Sequence, residues 1–299
     1  MDTTRKFPLI LSSFWLKVIA LVTMTFDHVG FMIDGFPGCD TLAVVFRHIG
    51  RIALPLFCFM IAEGAMHTKS FRKYALRLGI MASLISLGML LYESIPGLSN
   101  GFSIRNQGII FVDLLLGAVA VFCLRQKKWY LKLIALIPLA YGIISFVVSS
   151  IEADPCQCHG NILWFPYFIR TQYGWFGISL CISFYLARLL ANLYIGFLSS
   201  QTGIEKENYK GSNIERHAIN IISAFMIVAL SFLLYWVGNM MEQKYISWML
   251  NIQLFAVFSG AFILLYNGRR GYNKKWFQYG SYLYYPIHLG ILFLIFMNL

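Results

Sequence analysis

The chain has 299 residues, 59% of them hydrophobic, 17% aromatic and only 12% charged. A soluble globular domain carries roughly 25% charged residues, so this composition excludes one and indicates a polytopic membrane protein. The formal net charge of +11 is spread over alternate loops, as membrane topology requires, so it gives no reason to expect nucleic acid as a partner.

The apolar runs are continuous and about twenty residues long, the length of a helix crossing the hydrocarbon core, and lack the alternation of a membrane strand. The expected fold is all-α: a polytopic integral membrane protein of about nine transmembrane helices, with ten as the alternative, around a polar intramembrane cavity. The nine spans fall near 14–34, 43–66, 73–93, 106–124, 129–150, 172–195, 214–238, 245–266 and 277–298. No repeat divides them, so 1–299 reads as a single domain. The first run outlasts a signal-peptide core and lacks a small-residue cleavage site, so it is expected to remain. Most of the 24 Lys and Arg residues fall on one side, predicting a multi-pass protein of the cell (inner) membrane with its N-terminus cytoplasmic and its C-terminus outside. A short re-entrant segment at 161–169 would add the tenth span and reverse the later loops.

In chain order, the first two spans carry Asp27, His28, Arg47, His48, Arg51, Glu63 and, at the end, His67. A charge at the bilayer centre costs at least about 2.5–3.5 kcal/mol, so such residues usually face a cavity or one another. A carboxylate beside an imidazole can orient it as a general base, which makes Asp27 and His28 candidate catalytic groups; the alternative is that Asp27 pairs with an arginine on another span. Arg47 and Arg51 are one turn apart, with Gly50 between them allowing close helix approach. They suit either structural pairing with acidic residues or the holding of an anionic group. Pro55 is expected to kink the second span. Glu63 lies near the cytoplasmic mouth, followed by Arg72, Lys73 and Arg77, a topology signal and a candidate phosphate patch. Asn267-Gly268-Arg269-Arg270-Gly271 reads as a tight turn whose arginines could clamp a phosphate, or as an ordinary basic loop. His288, two residues after Pro286, suggests backbone opened toward a cavity in the last span. Cys156, Cys158 and His159 crowd one loop and Cys39 lies in another. Three clustered ligands without a clear fourth are weak evidence for a metal site, so free cysteines or a disulfide to Cys39 are expected rather than a metal.

These residues are similar to the TraX family, whose namesake N-acetylates the amino terminus of a conjugative pilin. The resemblance rests on Leu16 to His28, on Arg47 to Thr68 (R-x-x-GR-x-x-x-PLF-x-F-x-x-AEG…HT), and on Lys73-Tyr74 with Arg77-Leu78. It continues through Tyr173-Gly174 with Gly177, Asn251-x-Gln253-Leu254-Phe255, Tyr266-Asn267-Gly268 and Tyr285-Pro286-x-His288-Leu289. An Asn-x-x-x-Thr pattern of the family is poorly matched around Asn106 to Leu116, so the resemblance assigns no role to Asn106 or Asp113.

The resemblance implies a histidine-centred acetyl transfer within the membrane from cytosolic acetyl-CoA, a co-substrate, to an acceptor it does not fix: a protein amino terminus, a glycan or a small molecule. His28, oriented by Asp27, would deprotonate the acceptor, and Arg51 or His288 would stabilise the oxyanion or protonate the thiolate. An acetyl-histidine intermediate is the alternative. Arg47, Glu63, Arg72, Arg77, Asn267, Arg269 and Arg270 are the candidates for holding the donor. Two rival classes share the polar spans: a proton-coupled transporter and a non-catalytic membrane chaperone for pilin-like subunits.

Overall fold

The computed structural model describes residues 8–94, 108–152, 164–241 and 244–296. Among them the regular structure is helical, apart from one isolated parallel bridge between Leu11 and Tyr266. The α-helices are α1 (Ser13–Ile33), α2 (Asp40–Gly50), α3 (Ala53–His67), α4 (Phe71–Ser94), α5 (Ile110–Leu124), α6 (Trp129–Leu133), α7 (Leu136–Glu152), α8 (Trp175–Thr202), α9 (Asn213–Asn239), α10 (Lys244–Asn251), α11 (Ser259–Leu264) and α12 (Lys275–Phe296). Among the described residues, eight helical stretches are long and apolar enough to cross a membrane, and α5 is a shorter apolar helix between the third and fourth. Of the segment at 161–169, the described part holds one 3-10 turn, Tyr167–Ile169.

Two spans are broken for the same reason. Proline cannot donate to the carbonyl four residues earlier and its ring clashes with it. Pro55 has no N–H to offer the carbonyl of Arg51, and α2 gives way to α3 there, with Arg51 and Ile52 donating to His48 and Ile49 at 3.2 Å each. Pro138 does the same to Ile134, where α6 ends before α7 begins. A third span, Ser247–Leu264, is interrupted by the seven-residue 3-10 run Ile252–Phe258, which contains no proline. Pro286 behaves differently from the expectation of opened backbone: α12 runs unbroken through it. One lost bond within 22 residues is tolerated where neighbours hold the helix.

The chain packs as two compact units. The first comprises Met1–Met60, Leu186–Trp236 and Leu250–Leu299. Its tightest packing is α1 against α2, built on two glycines. A Cβ at Gly50 would stand 2.7 Å from the Cα of Asp27, and one at Gly30 2.8 Å from the Cβ of Phe46. Small residues at these crossings let the backbones approach as membrane helices require.

The second unit comprises Ile61–Tyr185 and Val237–Met249. On its α4, Leu76, Ile80, Leu84, Leu87 and Leu91 recur every three or four residues and are each at least 50% exposed. An apolar stripe of that size suits hydrocarbon rather than water. Behind it, the wholly buried Asp113 of α5 accepts the backbone N–H groups of Gln172 (2.7 Å) and Tyr173 (3.2 Å). Gly174 (φ +58°) and Gly177, which faces the Asp113 carboxylate, complete this entry into α8. The Tyr173-Gly174 and Gly177 positions therefore have a packing role. Arg170, also buried, forms a two-pronged pair with Glu152 and donates to the carbonyl of Phe165.

Candidate functional site

In the first unit, the close approach at Gly50 sets α2 so that Arg47 and Arg51, the residue just past its end, both reach Asp27. Arg51, buried at the break before Pro55, donates from its guanidinium to Oδ1 of Asp27 and from Nε to the carbonyl of Arg47 (3.1 Å). Arg47 lies 3.4 Å from the same carboxylate oxygen, with its guanidinium 5.2 Å from the ring centre of Phe31. One carboxylate thus holds two guanidiniums inside a membrane-spanning unit. Removing charges from water is expensive, and a paired arrangement with extra hydrogen bonds is how such groups are retained. Asp27 serves the arginines, and no hydrogen bond joins it to His28 among those described. The expectation that Asp27 orients His28 is corrected here. Adjacent helix positions diverge by about 100°, so the two side chains leave α1 toward different neighbours.

The partner of His28 is His288 on α12. Nδ1 of His28 lies 2.8 Å from Nε2 of His288, and Nδ1 of His288 lies 2.7 Å from the carbonyl of Tyr284. A carbonyl oxygen only accepts, so Nδ1 of His288 carries the proton. With His288 neutral, its Nε2 offers a lone pair and takes the N–H of His28 Nδ1. Nε2 of His28 is left as the basic nitrogen. The ring of Tyr284 stacks on His288 with centroids 4.9 Å apart, Tyr285 meets His28 edge-on at 5.8 Å, and the Tyr284 hydroxyl is 2.7 Å from that of Thr25. His288 is buried and His28 only partly so. The order carbonyl, His288, His28 gives one imidazole a fixed tautomer with its basic edge away from the fixing partner, the arrangement general-base chemistry needs.

The turn at 267–271 is built against the start of α1. Asn267 donates to the carbonyl of Leu11 (2.8 Å), while Ser13 and Phe14 donate to Arg269 and Arg270 at 2.9 and 3.1 Å. Two donors that helix α1 would leave unpaired are thus satisfied by the turn. Gly268 and Gly271 have φ of +74° and +68°, and the guanidinium of Arg216 crowds Gly268 closely enough that a Cβ would lie 2.8 Å from its Nε. Arg269 and Arg270 themselves are exposed. Glu63, Arg72 and Arg77 belong to the second unit. Glu63 is partly buried, its carboxylate 3.9 Å from Nδ1 of His67, and Arg72 and Arg77 are exposed on α4. Cys156, Cys158, His159 and Asn106 lie outside the described residues, and Cys39 is a partly buried free thiol.

Sequence reasoning passed over Tyr284 and Arg216. Tyr284 stands four residues before His288, the spacing at which a helix carbonyl meets a side chain. Arg216 stands four before Asn220, whose side-chain amide donates 2.8 Å to the carbonyl of Tyr266 in the same turn region.

A family model described as "TraX protein" matches residues 12–189, which include Asp27, His28, Arg47 and Arg51 and stop short of His288. A protein of Dichelobacter nodosus described as "Probable fimbrial assembly protein FimC, serogroup H1" is 33% identical over 105 residues, covering 33% of this chain and 41% of that protein. The chain thus spans less than half the length of that curated relative. No solved structure matches.

Proposed function

The chain belongs to the TraX family, and we propose that it is a membrane-embedded acetyltransferase moving an acetyl group from acetyl-CoA to an amine or hydroxyl acceptor. The observation that carries this reading is the contact of His28 with His288, which leaves Nε2 of His28 as a positioned base. That nitrogen takes the acceptor's proton as the acceptor nitrogen or oxygen attacks the thioester carbonyl. The C–S bond then breaks and the same proton passes to the departing thiolate, giving acetylated acceptor and free CoA. Arg51 and Arg47, held by Asp27, supply positive charge for the carbonyl oxygen while it is anionic. His288 acts through His28 and is a positioning residue.

The arginine turn at 269–270 is the donor's phosphate end, on a cytoplasmic face shared with the N-terminus. The description of the Dichelobacter relative concerns fimbrial assembly, and the acceptor class we favour is accordingly the amino terminus of a pilin-like subunit.

The test is calorimetric binding of acetyl-CoA to detergent-purified chain, followed by transfer of labelled acetyl to pilin amino-terminal peptides, glycans and small amines. The expected result is saturable binding by wild type and by His28→Ala, with transfer lost in the variant. A folded wild type that binds no acetyl-CoA, or a His28→Ala chain that transfers at the normal rate, overturns the reading. Uptake of solute by proteoliposomes without acetyl-CoA would replace it with transport.

A further inference from the structure

A second polar feature of the first unit takes no part in the contacts of Asp27 or His28. On α9, Arg216, Asn220, Ser223, Ile227 and Ser231 recur at spacings of three and four and so share one face. Asn220, Ser223, Ile227 and Ser231 are all wholly buried. Along the 3-10 run and into α11, the three-residue repeat puts Gln253, Ala256 and Ser259 in one column, and all three are buried. α9 meets α11 at Ala224 and Gly260, where a Cβ on the glycine would lie 3.3 Å from that of the alanine. Their chain neighbours Ser223 and Ser259 therefore stand at one level.

Four atoms on these faces make no hydrogen bond: Oδ1 of Asn220, Oγ of Ser223, Oγ of Ser231 and Oε1 of Gln253. Hydroxyls inside helices ordinarily bond the carbonyl one turn back, as Thr23 does to Ile19 (2.9 Å) and Thr25 to Leu21 (3.0 Å). Ser223 and Ser231 do not. Buried polar atoms in a membrane-spanning unit carry a large cost unless a polar partner meets them. At one end of the face, Arg216 lies over the ring of Tyr266 (5.2 Å) beside the Gly268-Arg269-Arg270 turn. At the other, Gln253 is two residues from Phe255, whose ring meets that of His48 at 4.0 Å, next in chain to Arg47. From Asn220 to Ser231 is about 16 Å along the helix at 1.5 Å per residue.

We infer that this lane takes the amide-bearing pantetheine arm of an acyl-CoA donor, with the phosphates at Arg216, Arg269 and Arg270 and the thioester end toward Gln253. The two carboxamide oxygens only accept, which suits the arm's two amide N–H groups, and the two serine hydroxyls can donate to its two carbonyls. The inference rests on the acetyltransferase reading.

The experiment measures binding of three probes to the full-length purified chain: coenzyme A, adenosine 3′,5′-bisphosphate (which lacks the arm) and pantetheine (which lacks the phosphates). Asn220→Leu and Gln253→Leu should each weaken coenzyme A and pantetheine about tenfold, the scale of a hydrogen bond lost with its partner left buried, and leave the bisphosphate unchanged. Arg216→Gln should weaken coenzyme A and the bisphosphate and spare pantetheine. Ser223→Ala and Ser231→Ala remove little volume, so they keep the fold and carry the test if a leucine variant does not. Wild type that binds coenzyme A with the lane variants unaffected overturns the lane and leaves the acetyltransferase reading standing. Wild type that binds no coenzyme A overturns both.

Discussion

Nδ1 of His28 and Nε2 of His288 stand 2.8 Å apart although 260 positions separate them in the chain. The bond is made by α1 packing on α12, and its sense is fixed by the carbonyl of Tyr284 on the far side of His288. Replacing His288 by Ala frees Nδ1 of His28 and lets its ring turn and change tautomer. Transfer should fall by about 10²–10⁴-fold, the range of a lost acid–base contribution. Acetyl-CoA affinity should stay within a few-fold, and His288→Gln, whose side-chain oxygen can accept from Nδ1, should recover part of the rate. Steady-state kinetics on the two variants, with binding measured separately, checks this. A His288→Ala chain of unchanged rate would remove His288 from its positioning role.

Asp27 holds two arginines, so its removal and theirs are unequal. Asp27→Leu leaves both guanidiniums in a membrane-spanning unit without their carboxylate, and breaking a buried pair in this way costs about 3–5 kcal/mol. Arg51→Met leaves Asp27 with Arg47 3.4 Å away and should cost clearly less. The double variant Asp27→Leu with Arg51→Met should be more stable than Asp27→Leu alone, because it removes one orphaned charge. Thermal unfolding of the three proteins in one detergent gives the order directly.

The spans were readable because hydrocarbon thickness fixes their length, and the polar residues stood out because each is costly there. The break at Arg51 followed from Pro55, and the close approach at Gly50 from its place between two arginines. The partners were not readable in the same way. Whether Asp27 meets His28 or an arginine depends on which way each side chain leaves α1, a rotation that one-residue spacing leaves open. The contact of His28 with His288 depends on which helices pack together. Pro286 misled because a proline in a long helix removes one bond without necessarily bending it, and the 3-10 run at Ile252–Phe258 has no proline to announce it.

Gly50 offers a test of the packing that sets the charged trio. A methyl there would lie 2.7 Å from the Cα of Asp27, so α1 and α2 must part. Gly50→Ala should destabilise by about 1–3 kcal/mol, the usual cost of overpacking. Gly88 of α4 has nothing within 4 Å of a built Cβ, and Gly88→Ala should be neutral or slightly stabilising. Equal melting temperatures for the two variants would mean that α1 and α2 are not in the contact described.

Pro55 separates stability from alignment. Pro55→Ala places an N–H four residues after Arg51 and removes the ring that blocks a continuous helix from α2 into α3. The chain should gain stability or hold it, since the ring no longer clashes with the turn before it. Arg51 would then be wound into regular helix, and its guanidinium would leave the line to Asp27 that the break now gives it. Transfer should fall by about tenfold or more, because small displacements of positioning groups are costly to rate. Melting temperature and transfer rate measured on the same preparation decide the point. A variant at least as stable as wild type but slower shows that the break serves the site. A variant that is unstable shows instead that the break is needed for the fold.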